Sequence, residues 1–170
     1  VAGDDTFTTD EDTAATIVVG SNDTDTDGDP LTITEVDGQA ITDGGPAVPV
    51  TNGSVQLIAG ELLFTPAGNY NGPISFTYTV DDGQGQPNST DTATVTGTVT
   101  AVNDGPVAGD DTFTTNEDTA VTIVVGTNDS DVDGDALTIT EVDGQAITDG
   151  GAAVPVTNGT VSLVAGELLF

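Results

Sequence analysis

The stretch Thr92-Ala93-Thr94-Val95-Thr96-Gly97-Thr98-Val99-Thr100-Ala101-Val102 alternates threonine with small or apolar residues. A period of two places the threonines on one face of a β-strand and Ala93, Val95 and Val99 on the other. Threonine and valine are branched at Cβ, which favours strands over helices. The stretch therefore predicts a long strand with one solvated face and one buried face.

Six further segments are rich in strand-forming residues and bounded by Gly, Asn or Asp: 5–9, 14–20, 31–36, 54–59, 61–65 and 75–80. In the last of them Phe76, Tyr78 and Val80 share the predicted apolar face, while Ser75, Thr77 and Thr79 share the polar one. No segment has the apolar period of an amphipathic helix. Seven short strands predict an all-β fold, and specifically a Greek-key β-sandwich.

Residues 1–64 recur as residues 107–170 with ten substitutions, and every acidic position recurs except Asp10, which becomes Asn116. This self-similarity predicts tandem repeats. The first domain is 1–106, a complete repeat with its linker, and 107–170 is the start of a second repeat without its last two strands. We expect the polypeptide to be longer than the residues given, or strands from another copy to complete the second repeat.

The composition excludes several classes of function. The chain has 29 acidic residues, no Lys, Arg, His or Cys, and a net charge of −29. Disulfides and thiolate metal sites are therefore excluded, and the usual nucleophiles and general bases are missing, so we expect no enzyme. The acidic charge repels nucleic acid and anionic membranes, and no apolar run is long enough for membrane insertion.

Two loops, 22–29 and 128–135, hold an aspartate at every second position and a glycine at 28 or 134. Carboxylates this close repel one another, and no basic side chain relieves them. Hard oxygen ligands at this density point to Ca²⁺. The first loop matches the opening of an EF-hand, but Thr34 stands where the bidentate glutamate is needed and the flanking segments are strands.

If successive strands run up and down, the acidic residues gather at the two poles of each sandwich. Loop 22–29 and the pair Asp81-Asp82 share one pole, and Glu11-Asp12 and the linker Asn103-Asp104 share the other, where the next repeat begins. Asp37, Asp43 and Asp91 are expected to form turns instead. The predicted metal ligands are Glu11, Asp12, Asp23, Asp25, Asp27, Asp29, Asp81, Asp82, Asn103, Asp104, Asp110, Asp111, Asp129, Asp131, Asp133 and Asp135.

The linker Asn103-Asp104-Gly105-Pro106-Val107, the Asp-x-Asp loops and Glu11 resemble the calcium-binding linkers of cadherins. With segments 64–72 and 75–83, the whole pattern resembles the cadherin-like, immunoglobulin-like tandem repeats of large bacterial extracellular adhesins of the repeats-in-toxin class. The resemblance implies a cadherin- or immunoglobulin-like sandwich, calcium between neighbouring repeats, and an extracellular or cell-surface location. Gly105 departs from the cadherin linker, where a further ligand stands, so the number of ions per junction stays open.

The leading functional hypothesis is a calcium-stiffened spacer repeat of a long adhesin or surface fibre. Its partners are neighbouring repeats of the same or identical chains, with any surface or extracellular ligand bound elsewhere in the full protein. One alternative is a filament subunit assembled by strand donation between incomplete repeats. Another is a module that binds a glycan or protein through loops 37–52 and 83–89. We expect interdomain calcium at the second acidic loop first.

Overall fold

The computed structural model describes residues 1–170 and is built from β-strands, with one 3₁₀ turn and no α-helix. The predicted all-β, immunoglobulin-like sandwich is confirmed. The chain divides into two compact units, Val1–Val102 (unit 1) and Asn103–Phe170 (unit 2). None of its helical segments is long and apolar enough to cross a membrane.

Unit 1 contains nine strands in two sheets. The strands are β1 Asp5–Asp10, β2 Ala15–Ile17, β3 Thr32–Val36, β4 Gln39–Ala40, β5 Val48–Val50, β6 Gly53–Ile58, β7 Glu61–Pro66, β8 Gly72–Asp81 and β9 Thr90–Thr100. One sheet has the order β1-β9-β8-β3-β4 and the other β2-β7-β6-β5. Strand β1 runs parallel to β9, as alternating strand directions predict, and the other pairs are antiparallel.

The core of unit 1 lies between the two sheets, and β8 and β9 contribute much of it. Phe76, Tyr78 and Val80 are buried from β8, as their alternation predicts. Val95 and Val99 are buried from β9, whereas Thr96, Thr98 and Thr100 are exposed. The two-residue period therefore assigned the faces of both strands correctly.

Three local predictions in unit 1 are wrong, each for a physical reason. The strand predicted over 14–20 ends at Ile17, because its partner β7 begins one residue beyond their last pair, and Val19–Ser21 forms a 3₁₀ turn instead. An irregularity between Ile33 and Glu35 interrupts the expected alternation of β3. Segment 37–52 is not a plain loop, since β4 and β5 lie within it.

The short strand β4 exists because the chain reverses sharply after β3. Asp37 and Gly38 both have positive φ, 48° and 71°, the conformation of a tight hairpin turn. Gln39 then pairs with Val36, and Ala40 pairs with Glu35. The Asp-Gly pair between two strand-forming runs was the signal for this hairpin.

Unit 2 repeats one sheet of unit 1 and only part of the other. Its strands are β10 Thr122–Ile123, β11 Glu141–Val142, β12 Gln145–Ala146, β13 Val154–Val156, β14 Gly159–Val164 and β15 Glu167–Leu169. The sheet β10-β15-β14-β13 corresponds to β2-β7-β6-β5. Residues 111–116, the counterpart of β1, form no strand. Four residues form the buried core of this unit: Ile147, Val154, Val161 and Leu163.

Candidate metal-binding loops

The first acidic loop is organised by the side chain of Asp25. Its Oδ1 accepts the backbone N–H groups of Asp27, at 2.8 Å, and Asp29, at 3.1 Å. These two hydrogen bonds lower the pKa of Asp25, the bond from Asp29 contributing most, because they stabilise the carboxylate. Gly28 has a φ of 83°, a conformation that glycine adopts without strain. Aspartate spacing and glycine position together set the loop shape.

Asp23 anchors the same loop to the rest of the sandwich. Its Oδ1 accepts the Gly3 N–H and the Tyr78 hydroxyl, both at 2.8 Å. The hydroxyl of Tyr78 also lies 2.9 Å from the carbonyl oxygen of Gly3. The loop is therefore tied both to the segment before β1 and to the middle of β8.

Asp5 places a second carboxylate beside Asp23. The Oδ2 atoms of both residues are buried and have no hydrogen-bond partner. Burial raises the pKa of Asp5, the Tyr78 hydroxyl opposes the rise, and the Asp23 carboxylate adds to it. Burial also raises the pKa of Tyr78, and the hydrogen bond that its hydroxyl donates to Asp23 raises it further. Two adjacent carboxylates with orphaned oxygens form an electrostatically costly site.

Three of the predicted ligands in the first loop face one groove of about 600 Å³: Asp23, Asp25 and Asp29. Asp43 adds a carboxylate from outside the loop, and five apolar residues line the groove as well: Leu31, Ile33, Ile41, Leu57 and Val80. Asp27 is exposed and does not line the groove. The loop thus directs three carboxylates toward a common space, and these offer only oxygen donors.

The second acidic loop has the same geometry as the first. Asp131 Oδ1 accepts the N–H groups of Asp133 and Asp135, at 2.9 and 3.2 Å. Asp129 Oδ1 accepts the N–H of Gly109 at 2.8 Å, as Asp23 does from Gly3. Two substitutions inside the loop, Thr24 to Ser130 and Thr26 to Val132, leave this geometry intact. The backbone and the aspartates therefore determine the conformation.

Unit 2 also brings its linker to the loop. Asp133 Oδ2 accepts the backbone N–H of Asp104 at 2.7 Å. A groove of about 390 Å³ is lined by five of the predicted ligands: Asn103, Asp104, Asp129, Asp131 and Asp135. The sequence predicted that these residues share one site, and in the structure they line one groove.

The remaining predicted ligands accept backbone hydrogen bonds or lie outside the grooves. Glu11 is buried, and its Oε1 accepts the Val102 N–H at 2.6 Å. Asp12 Oδ1 accepts the N–H of Asn69 at 3.0 Å. Asp81 and Asp82 do not line the groove of unit 1; each accepts an N–H two residues further along, at 2.6 and 2.8 Å.

Asp110 and Asp111 do not line the groove that contains Asp104 and the second loop. Both are exposed, and the carbonyl oxygen of Asp110 accepts the Asn128 side-chain N–H at 3.1 Å. Asp5, the counterpart of Asp111, does approach the first loop in unit 1. The sequence prediction included Asp110 and Asp111 but omitted Asp4 and Asp5, which are the equivalent residues of the first repeat.

The scattered aspartates make specific hydrogen bonds within the fold. Asp37 Oδ1 accepts the N–H of Thr77, and Asp43 Oδ1 accepts the N–H of Ala59. Asp91 Oδ2 accepts the N–H of Ala2 at 2.9 Å, and this bond lowers the pKa of Asp91. These residues connect segments of unit 1, and of the three only Asp43 also lines the acidic groove.

Comparison with known families agrees with this architecture. A family model described as a bacterial Ig domain matches residues 1–98 and again residues 103–168. The chain belongs to the bacterial Ig domain family. Neither a curated protein nor a solved structure is similar enough to count as a match. Bacterial Ig domains are typically non-enzymatic structural domains, found as repeats of surface proteins.

Proposed function

We propose that these tandem bacterial Ig domains are a spacer in an extracellular bacterial adhesin or surface fibre, and that Ca²⁺ stiffens the array. The observation that supports this best is the equal geometry of the two acidic loops, each organised by one aspartate, Asp25 or Asp131. No cationic side chain exists in the chain to neutralise them. A hard divalent cation provides the missing charge.

The donors available in unit 2 suit calcium rather than a transition metal. Calcium takes six to eight oxygen ligands in flexible geometry, whereas zinc and copper favour imidazole and thiolate. The groove of unit 2 offers carboxylates from Asp104, Asp129, Asp131 and Asp135 and the side chain of Asn103. We further propose, from the sequence, that Glu11 and Asp12 of a preceding repeat share such an ion.

Thermal unfolding with calcium or with chelator tests the proposal. Each occupied site is expected to add about 2.7 kcal/mol to folded stability when free calcium exceeds the dissociation constant about a hundredfold. The melting temperature should therefore rise with calcium, and the hydrodynamic radius should differ between calcium and chelator. Equal melting temperatures in the two conditions contradict the proposal.

A matched pair of double variants locates the ions. Asp29→Asn with Asp135→Asn removes one groove-lining charge from each acidic loop, and Asp37→Asn with Asp143→Asn removes the same charge at equivalent positions that line neither groove. The first pair should weaken calcium stabilisation by at least about 1 kcal/mol, and the second should leave it unchanged. In chelator neither pair should lose stability, because each removes negative charge and so lowers the self-repulsion of the chain. Equal loss of calcium stabilisation in both variants would assign the effect to net charge.

A filament assembled by strand donation is the second candidate. The observation that favours it is the exposure of Phe113 in unit 2, 45 % of its surface, where the equivalent Phe7 is partly buried in unit 1. Exposed apolar residues and unpaired sheet edges invite additional strands. Sedimentation across a wide concentration range tests it: concentration-dependent growth supports assembly, and a constant monomer contradicts it.

A further inference from the structure

The acidic groove of unit 1 has an apolar side as well as a charged one, and we refer to it as the amphipathic groove. Three of its apolar lining residues belong to the buried core, Ile41, Leu57 and Val80, and the other two, Leu31 and Ile33, pack against that core. A metal ion would neutralise the carboxylates of this groove but would leave its apolar side in contact with water. The apolar side therefore calls for a different ligand.

The same groove recurs in unit 2, with a volume of about 630 Å³ and a lining drawn only from residues between Ala108 and Gly166. Of the thirteen lining positions in unit 1, all but Asp25, Asp29 and Val80 have their counterparts, 106 positions later, in the lining of this groove. Unit 1 keeps the groove with strands β8 and β9 present, and unit 2 keeps it after a complete repeat. The groove is thus a property of the repeat.

The charge that complements this groove has no source within the chain. No Lys, Arg or His is present. The backbone N–H groups that bind Asp25 and Asp43 are donated to Oδ1, and Oδ2 of Asp23 is buried without a hydrogen-bond partner. A second copy of the chain has no cationic side chain either, so the positive charge must come from a different molecule.

We propose that the amphipathic groove binds a small aliphatic amine, with its ammonium group on the carboxylates and its alkyl chain on the apolar residues. An ammonium group carries three donors, and its hydrogen bonds to carboxylates are assisted by charge. The volume of about 600 Å³ lies within the range of small-molecule pockets. The inference goes beyond the spacer function and does not rest on it.

Two glycines leave the groove open to such a ligand. Gly20 and Gly60 line it in unit 1, and no atom lies within 4 Å of a Cβ built on either residue. Their counterparts in unit 2, Gly126 and Gly166, line the second groove and are equally free of neighbours. At these points the lining is backbone without a side chain.

An aliphatic amine and a metal ion differ in what their affinity depends on. Each methylene group that leaves water should strengthen binding of the amine about fourfold. A ligand held by charge alone gains nothing from a longer alkyl chain. Chain length at constant charge therefore reports on the apolar side of the groove, and the sign of the charge reports on its carboxylates.

The test titrates the full, ¹⁵N-labelled chain with hexylamine, an ammonium ion at neutral pH, in chelator at constant pH and ionic strength. We expect saturable changes of amide chemical shift in 31–33 and 41–43, and in the equivalent segments 137–139 and 147–149. Butylamine should bind about tenfold more weakly because it is two methylene groups shorter. Hexanoate, with a similar chain and the opposite charge, should show no saturable binding.

A matched pair of double variants locates the ammonium group. Asp43→Asn with Asp149→Asn removes a groove-lining charge from each unit, and Asp37→Asn with Asp143→Asn removes the same charge outside both grooves. The first pair should weaken hexylamine binding about threefold, and the second should leave it unchanged. Equal weakening by both pairs assigns the binding to net charge and overturns the inference.

A third double variant locates the alkyl chain. Ile33 and Ile139 are partly buried equivalents that line the two grooves. Ile33→Thr with Ile139→Thr keeps a side chain that favours strands but makes the groove more polar. The advantage of hexylamine over butylamine should then shrink. If this variant disturbs the fold, the comparison of the two amines on the unaltered chain still decides.

Three results overturn the inference: no saturable binding of hexylamine, equal affinities of butylamine and hexylamine, or shift changes that leave out 31–33 and 41–43. The calcium proposal fails separately, because amine binding is measured in chelator. A chain that binds hexylamine but melts equally in calcium and chelator keeps the amine site and contradicts calcium stiffening. A chain that calcium stabilises but that binds no hexylamine keeps the calcium proposal and overturns the amine site.

Discussion

At the residue scale, the Tyr78 hydroxyl is the donor that holds the first acidic loop. Its bond to Asp23 spans 55 positions of sequence. Tyr78→Phe should lower the unfolding free energy of unit 1 by about 1–2 kcal/mol in chelator, because the half-buried carboxylate of Asp23 loses one of its two hydrogen bonds. Both tyrosines lie in unit 1 and the chain has no tryptophan, so denaturant unfolding followed by the remaining Tyr70 reports on this unit.

Tyr70→Phe is the matched control for that variant. Tyr70 donates to the carbonyl oxygen of Pro73 at 2.7 Å, a contact over three positions of sequence that involves no carboxylate. Its loss should cost only about 0.5–1 kcal/mol, measured through Tyr78 fluorescence. Equal effects of the two substitutions would show that the bond to Asp23 contributes no more to stability than the bond to Pro73.

At the element scale, nearly identical sequences adopt different structures when their partners differ. Residues 5–10 and 111–116 differ only at Asp10 and Asn116, yet only the first segment forms a strand. The reason is that β1 pairs only with β9, which has no counterpart in unit 2. Alternation therefore predicted which residues face the core, whereas strand formation depended on a neighbour distant in sequence.

Sequence patterns predicted some features of the strands and loops but not others. The alternation of β8 and β9 and the spacing of the acidic loops depend on adjacent residues, so the sequence predicted them. The early end of β2 depends on where β7 begins, and the irregularity in β3 depends on its pairing with β8. The place of Asp5 beside Asp23 is set by the packing of β1, which composition does not encode.

The contact of β1 with β9 requires a glycine opposite an aromatic ring. Gly97 lies against Phe7, which itself packs on Phe64 with ring centroids 5.3 Å apart, so the ring has little room to move. Gly97→Ala should destabilise unit 1 by about 1–3 kcal/mol through overpacking. The control is Gly20→Ala, since no atom lies within 4 Å of a Cβ there. Tyrosine fluorescence during unfolding measures both, and a neutral Gly97→Ala would contradict this account.

At the scale of the whole molecule, the two units have very unequal cores. Sixteen buried apolar residues form the core of unit 1, and four form that of unit 2. Since burial of apolar surface is the main stabilising contribution, unit 2 should unfold first. Thermal unfolding in chelator should therefore show two transitions by circular dichroism, and tyrosine fluorescence should follow only the one at higher temperature.

Equivalent core leucines assign the two transitions. Leu57→Ala and Leu163→Ala remove the same side chain at positions that are 4 % and 6 % exposed. A cavity at such a site costs about 2–5 kcal/mol, so Leu57→Ala should lower only the upper transition and Leu163→Ala only the lower one. If both substitutions moved a single coincident transition, the units would unfold as one cooperative body. The stability of one repeat would then depend on its neighbour even without calcium, and stiffness in the array would need no bound ion.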